Sequence, residues 1–217
     1  TLLASSAASD VYKRQEKKEM LYSYHIGCPA ETADGRIVMT EACREKIKSA
    51  VEGFRLPRYR EIPAVGLYLE QTAKYISEYL SGLQENCITI SMISNYVKKH
   101  LIASPEKKQY SREQIAYLFF IAVTKNVLSL DDLKYFIGLQ KATYPSETAY
   151  DYFCDELENV LAFVFGLKES PEEIGEDSSD EKRMLRRVII AVSYQIYLDK
   201  SFSVMRREAE GDGSGAR

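Results

Sequence analysis

The stretch "ITISMISNYVKKHLIASPEKKQYSREQIAYLFFIAVTK", Ile88–Lys125, determines the fold that the sequence predicts. It contains two apolar segments with helical spacing, and most of its cations lie between them. Five Lys or Arg residues and one acidic residue fall within 88–112, so this part carries a net charge of +4. Residues 54–140 carry +3 in total, whereas 141–217 carry −6. A basic centre beside an acidic C-terminal part indicates different partners for the two parts.

The first apolar segment predicts a helix over Thr89–His100. Its apolar residues span about 80° of arc at 100° per residue, and they are Ile90, Ile93, Val97 and Leu101. The opposite face is polar and basic, with Ser91, Asn95, Lys98 and Lys99. A polar loop, Ala103–Tyr110, follows. Ser111 with Gln114 three residues later is typical of a capping box, and it predicts a helix over Arg112–Lys125.

Weaker signals predict the remaining elements. Thr40 is expected to cap a short helix through Gly53, and Gly66–Leu83 has the apolar spacing of another helix. The two prolines of Phe54–Pro63 favour an extended segment. Three serines are predicted to cap helices that end near Leu139, Phe165 and Met205, and they are Ser129, Ser146 and Ser178.

Few residues suit catalysis, metal binding or membrane insertion. The two histidines, His25 and His100, do not support a Ser/His/Asp set, and the four cysteines lack metal-ligand spacing. No glycine-rich phosphate loop occurs. The longest apolar run, Ile115–Val123, has nine residues, whereas a membrane helix needs about 20. We therefore expect a cytoplasmic protein that is not an enzyme, needs no cofactor and does not enter the membrane.

This order of elements occurs in winged helix-turn-helix domains. It consists of a helix, a turn, a second helix with a polar and basic free face, and a loop with two lysines. The second helix of that fold enters the major groove, where short polar side chains meet base edges, while lysines on the helix and wing meet phosphates. The predicted DNA-binding residues are Ser91, Ser94, Asn95, Lys98, Lys99, Lys107, Lys108, Tyr110 and Arg112. The alternative is that the lysines are the solvated face of an ordinary helical bundle.

The segment "RLPRYR", Arg55–Arg60, has two interpretations. Its three arginines would reach a phosphate backbone if the segment acts as an N-terminal arm on DNA. Alternatively, the segment is a strap that packs Leu56 and Tyr59 against the core. The sequence does not choose between them.

The motifs "FRLPRYREIP", "LYLEQTAKYISEYL", "ISNYVKKHLI" and "KKQYSREQIAYL" resemble the family called domain of unknown function 1836, over 54–139. The DNA-binding module of MerR-like regulators is also similar, at Tyr96, Leu101, Pro105, Tyr110, Ile115, Leu118, Ile121, Leu130 and Leu133. These resemblances imply a winged helix-turn-helix transcription regulator of bacterial type. The chain departs from the MerR-like pattern at Ser94, where arginine is usual, and at His100, where glycine is usual.

Ser5–Gln15 matches, codon for codon, the translation of a common sequencing adapter, so we expect 1–15 to be an artefact. The predicted fold is mainly α, a MerR-like winged helix-turn-helix followed by a small helical C-terminal unit. The predicted parts are an N-terminal flank with a short helix (16–53), the winged domain (54–140), the helical unit (141–205) and a flexible tail (206–217).

The predicted function is a DNA-binding transcription regulator, with helix 89–100 in the major groove and the wing at 103–110 on the backbone. The predicted partners are double-stranded DNA and a second copy of the chain. The C-terminal helices are expected to serve dimerisation or the sensing of a small-molecule or protein effector. The alternative function is a protein-interaction adaptor that keeps the winged fold without specific DNA binding.

Overall fold

The computed structural model describes residues 30–31, 37–38, 40–84, 88–172, 174 and 179–212, with side chains over 40–84, 88–172, 174 and 179–207. The strands are β1 (Ala30–Glu31), β2 (Ile37–Val38), β3 (Leu67–Tyr68) and β4 (Gln109–Tyr110). The helices are α1 (Glu41–Ser49), α2 (Leu69–Leu80), α3 (Ile90–Lys98), α4 (Arg112–Thr124), α5 (Leu130–Thr143), α6 (Ser146–Val164) and α7 (Asp180–Asp212). A 3-10 helix covers Tyr59–Glu61. The chain is mainly helical, which confirms the predicted class. The expected artefact at 1–15 lies outside the described residues.

A short antiparallel ladder precedes α2. Leu67 of β3 pairs with Tyr110 of β4, and Tyr68 pairs with Gln109, while β1 pairs with β2 in a separate ladder. The helix predicted over Gly66–Leu83 is confirmed as α2, but it begins at Leu69, because β3 comes first. A Cβ atom on Gly66 would lie 2.8 Å from the Cβ of Gln109, so only glycine allows the two strands this close approach.

The core is built around α4. Every residue from Ile115 to Thr124 is buried, as expected for a helix that is apolar on all sides. The helices α2, α6 and α7 pack against it, and Phe119 makes edge-on ring contacts with Tyr75 and Tyr79 of α2. The apolar stretch that follows the basic segment is therefore the central helix of the protein.

The predicted border between the winged domain and the C-terminal unit, at 140/141, falls inside α5. Buried side chains from both sides of this border form one hydrophobic cluster. The helix α7 packs against α1, α4 and α6, so the N-terminal flank also contributes to this core. The tail predicted from 206 is helical through Asp212.

Several predicted helix starts are confirmed. The Ser111 hydroxyl accepts from the backbone N–H of Gln114 at 3.3 Å, and the Gln114 side chain accepts from the N–H of Ser111 at 2.8 Å, which completes the capping box. Thr40 and Ser129 also cap their helices, α1 and α5.

Two other caps differ from prediction. Pro145 precedes α6, and Ser146 is the first residue of the helix and not its cap; the Ser146 hydroxyl donates to a Glu113 carboxylate oxygen at 2.7 Å. Ser178 lies outside the described residues, and the hydroxyl of Ser179 accepts from the N–H of Lys182 at 3.3 Å at the start of α7.

The second helix of the basic stretch, α4, has the predicted length to within one residue.

Candidate nucleic-acid interface

The helix α3 presents a polar face to solvent. Its inner face holds Ile93 and Tyr96, which are buried, and Leu101 is buried just beyond its end. The outer face holds five of the predicted DNA-binding residues, all exposed, and these are Ser91, Ser94, Asn95, Lys98 and Lys99. Ile90 was expected on the inner face, but it is 45% exposed, because the buried stripe passes through Tyr96 instead.

The hydroxyl groups on this outer face are engaged locally. Thr89 caps α3 by accepting from the N–H of Met92 at 3.2 Å, and the Thr89 and Ser91 hydroxyl oxygens lie 3.0 Å apart. Ser94 donates to the carbonyl oxygen of Ile90, one turn back, at 2.9 Å. Within the described part of the chain, the side-chain amide of Asn95 makes no hydrogen bond, so it is the polar group of this face most available to a ligand.

The end of α3 keeps a left-handed cap although it lacks glycine. His100 has φ +56° and its N–H donates to the carbonyl of Val97 at 3.0 Å, while the N–H of Leu101 donates to the carbonyl of Tyr96 at 2.9 Å. These two bonds define a Schellman motif, and Tyr96 and Leu101 supply its usual apolar contact. Having His100 where the MerR-like pattern has glycine therefore adds the steric cost of a side chain at positive φ, but the helix still ends in the same geometry.

A tight hairpin follows α3. Glu106 and Gln109 form an antiparallel bridge across a two-residue turn, with the N–H of Gln109 donating to the carbonyl of Glu106 at 2.8 Å. The turn residues Lys107 and Lys108 have φ +47° and +66°, and positive φ at both positions is the mark of a type I′ turn. Asn-Gly is the preferred pair in such a turn, so two lysines occupy it at an energetic cost.

Four lysines of α3 and of the hairpin that follows it have no partner among the described residues. Within the described residues, Lys98, Lys99, Lys107 and Lys108 are all exposed and form no ion pair, side-chain hydrogen bond or ring contact. Their positive charge is therefore not neutralised by the protein, and it remains for an anionic partner.

The arginines of the strap, Arg55–Arg60, are used differently. Arg55 pairs with Glu61 at 2.9 Å, and Arg60 pairs with Glu147 of α6. Arg58 pairs with two carboxylates of α6, while Leu56 is fully buried beneath the segment. The structure thus favours the strap over the DNA arm, since each guanidinium already has an acidic partner.

Two predicted contact residues point into the fold. Tyr110 is 3% exposed, and burial raises the pKa of its hydroxyl. Arg112 donates from Nε to the carbonyl of Ile62 at 2.8 Å, and its guanidinium carbon lies 5.7 Å from the ring centre of Tyr59. Tyr110 therefore holds the hairpin against the core, and Arg112 holds the strap; neither faces outward like the lysines. Tyr110 pairs with Leu67 of β3, and the sequence analysis did not predict this strand.

An apolar cavity of about 180 Å³ lies where α5, α6 and α7 meet, and its walls include Phe136, Tyr152 and Leu185. The ammonium group of Lys182 lies 4.6 Å from the ring centre of Tyr152 at this cavity. A predicted effector at the C-terminal helices would have this space available, and that role stays a prediction.

Other kinds of site are not visible in the described residues. No group of three His, Cys, Asp or Glu side chains there is arranged to hold a metal ion. Across the same residues, no helix combines the length and the apolar character required to span a bilayer. Cys43 and Cys154 are buried free thiols, and burial raises the pKa of Cys154 to about 12.

The basic helix, the hairpin and the last four residues of the strap fall within one region that matches a known family model. Residues 57–153 match the model of a family described as a domain of unknown function (DUF1836). This confirms the resemblance to that family. The DUF1836 region begins within the strap and ends within α6, so it contains the complete β3–α2–α3–hairpin–β4–α4 segment. No curated protein and no solved structure shows a significant match to the chain.

Proposed function

We propose that this protein is a transcription regulator of bacterial type that binds duplex DNA through α3 and the Lys107–Lys108 hairpin. The order of elements supports the proposal. In a winged helix-turn-helix domain a strand precedes two helices, and a hairpin then returns to pair with that strand. Here β3 precedes α2 and α3, and β4 returns from the hairpin to pair with β3. We also propose that this winged fold is of the MerR-like type.

The observation that carries the proposal is the division of cations into two groups. The arginines at 55, 58, 60 and 112 each have a partner in the chain: the first three pair with carboxylates, and Arg112 donates to a backbone carbonyl group. The lysines at 98, 99, 107 and 108 have no such partner within the described residues. Lysines without a partner in the protein are well suited to neutralise the phosphates of a DNA backbone.

The dimensions of α3 suit a major groove. Its nine residues give a length of about 13 Å, and a helix with side chains is about 10–12 Å wide, close to the groove width of about 12 Å. Asn95 is exposed, and its amide bonds to none of the residues that the structure describes, so it is available to bond the N6 and N7 atoms of adenine. Lys98 and Lys99 at the helix end, with the hairpin lysines, then meet phosphates on either side.

The first experiment identifies the DNA. Fragments of the source genome that the purified chain retains would be sequenced, and the enriched sequence would be used as a labelled duplex in mobility-shift titrations. Asn95→Ala is expected to reduce the preference for the enriched sequence, whereas Lys98→Ala should weaken binding to all sequences. Lys134→Ala removes an exposed lysine of α5 that pairs with none of the described residues, and it serves as the matched control. Failure to retain any DNA, by a chain shown to be folded, would favour the adaptor alternative.

A further inference from the structure

The long helix α7 carries an uncovered apolar stripe. Four large side chains recur at intervals of four residues, and each is between 37% and 52% exposed: Ile190, Tyr194, Leu198 and Phe202. Successive members are offset by about 40° around the helix, so all four lie within an arc of about 120°. Met184, six residues before Ile190, is 42% exposed and lies at the edge of the same arc, at about the angle of Phe202. We call these five residues the α7 stripe.

The N-terminal half of the stripe borders a groove. A cavity of about 170 Å³ lies between α6 and α7, with apolar walls from Val160, Phe163 and Val164 of α6 and from Ile190 and Tyr194 of α7. Arg186 and Pro171 complete its lining. In the C-terminal half of the stripe, Leu198 and Phe202 are 47% and 52% exposed, so they project from the helix as two ridges.

We infer that the α7 stripe is a homodimer interface in which a second copy packs antiparallel across Tyr194. In that arrangement a two-fold axis passes through Tyr194, and residues equally far from it on opposite sides face each other. Leu198 of each copy then lies beside Ile190 of the other, and Phe202 lies beside Arg186. Both ridges of one copy therefore meet the groove of the other, so the surface is complementary to itself, as a two-fold interface requires.

The exposed area supports a stable pair. At about 200–250 Å² for each large side chain, the exposed fractions leave about 450 Å² of apolar surface per copy. Two copies would cover about 900 Å². Apolar surface makes up about 65% of homodimer interfaces, so an apolar area of about 900 Å² corresponds to a whole interface of about 1,400 Å². Stable and specific interfaces bury about 1,200–2,000 Å².

This inference does not depend on DNA binding. The stripe lies on α7, outside the matched residues 57–153, and it involves none of the lysines near α3. If the proposed function is also right, the dimer would place two copies of α3 on one duplex, which raises specificity by reading two half-sites.

Sedimentation equilibrium of the full chain tests the association. We expect a mass that approaches twice 24.8 kDa as concentration rises, and Leu198→Glu or Phe202→Glu should shift the equilibrium to the monomer by at least tenfold in Kd. Tyr135→Glu is the matched control, because Tyr135 is 72% exposed on α5 and lies outside the stripe. A monomer at every concentration, or equal effects of the stripe and control variants, would overturn the inference.

Cysteine cross-linking tests the antiparallel arrangement. In a background with Cys28→Ser and Cys87→Ser, Tyr194→Cys should form a disulfide-linked dimer on oxidation, because residue 194 meets itself at the axis. Phe202→Cys should not, because residue 202 meets residue 186. Cross-linking at both positions would indicate a parallel pair and would reject the arrangement, and cross-linking at neither would reject the interface. Circular dichroism of each variant confirms that it is folded.

Discussion

Glu158 of α6 accepts hydrogen bonds from both terminal nitrogens of Arg58, at 2.6 and 2.8 Å. The same carboxylate accepts from the backbone N–H of Leu56 at 2.9 Å, and Arg58 also donates to Asp155 at 2.7 Å. The forked guanidinium thus joins the strap to a helix about one hundred residues further along the chain. Both side chains of the pair are at most 25% exposed, so water screens them only in part.

Replacing Arg58 therefore tests the structural role of the strap. Arg58→Ala should lower the free energy of unfolding by about 2–3 kcal/mol, because it leaves two carboxylates without their partner. Arg58→Lys should recover only part of this loss, since an ammonium group cannot bond both carboxylate oxygens in parallel. Urea denaturation at neutral pH measures each value.

The matched control for the strap is Arg55→Ala. Arg55 pairs with Glu61, and both of those side chains are about half exposed, so the loss should be much smaller than for Arg58→Ala. If the two alanine variants were equally stable and Arg58→Ala weakened DNA binding instead, the segment would be an arm on the nucleic acid and not a strap.

The hairpin turn predicts a conflict between stability and binding. Changing Lys107→Asn and Lys108→Gly together supplies the residues that a type I′ turn prefers, so the free energy of unfolding should rise by about 1–2 kcal/mol. The same change removes two free cations, so affinity for duplex DNA should fall. Thermal denaturation and a DNA titration on one preparation measure both effects.

A second double variant, Lys107→Ala with Lys108→Ala, separates the effect of charge on DNA binding from the effect of backbone strain on stability. This pair removes the cations but keeps side chains with a Cβ atom at positive φ, so it should weaken DNA binding without stabilising the fold. Unchanged DNA affinity in both double variants would mean that the hairpin takes no part in binding.

The left-handed position of His100 gives a similar test at the helix end. His100→Gly should stabilise the fold by about 1 kcal/mol, because glycine adopts positive φ without the steric cost that a side chain carries. Urea denaturation would show the gain. A loss of stability would mean that the imidazole makes a contact worth more than the strain, and this would contradict the assignment of His100 as a simple cap.

Glu156 makes the stability of the fold depend on pH. Its carboxyl group is fully buried, and the Nε atom of Arg186 lies 3.2 Å away without forming a well-directed hydrogen bond. Burial raises the pKa of Glu156 above its usual value of 4.5, and the charges of Arg186 and Lys182 oppose this only in part. The ionised carboxylate therefore costs stability at neutral pH, and this cost disappears as the pH falls through the raised pKa towards 4.5.

Glu156→Gln should consequently be more stable than the wild type at pH 7, with a difference that shrinks as the pH approaches 4.5. Denaturation curves at a series of pH values measure this, with Glu158→Gln as the control. Glu158→Gln should lose stability at pH 7, because its carboxylate is fully used by Arg58 and Leu56. A destabilised Glu156→Gln at pH 7 would show that attraction to Arg186 exceeds the cost of burial.

The sequence predicted the parts of this fold that depend on local chemistry. The Ser111–Gln114 box and the apolar run after it correctly gave the central helix, because hydrogen bonds between neighbouring residues define a helix start. The exposed face of α3 was also foreseen, since Ser94, Asn95 and Lys98 follow the helical period.

Features that depend on distant partners were missed. The strand β3 has two residues, too few for a periodic signal, and without it the burial of Tyr110 was not predictable. Arg112 looked like another free cation, because the carbonyl of Ile62 that accepts from it is fifty residues away. Ser146 was assigned as a cap, but it is the first residue of α6, and its hydroxyl donates to Glu113 on a different helix.

The central claim is that Lys98, Lys99, Lys107 and Lys108 meet DNA phosphates together. The most direct measurement is the slope of log Kobs against log salt concentration for a duplex, compared between the wild type and a variant with all four lysines changed to alanine. Each phosphate contact contributes about −0.9 to this slope, so the wild-type slope should be steeper by about 3–4 per bound chain. Lys134→Ala should leave the slope unchanged. Equal slopes for the wild type and the fourfold variant, or no binding by the folded wild-type chain at low salt, would contradict the account.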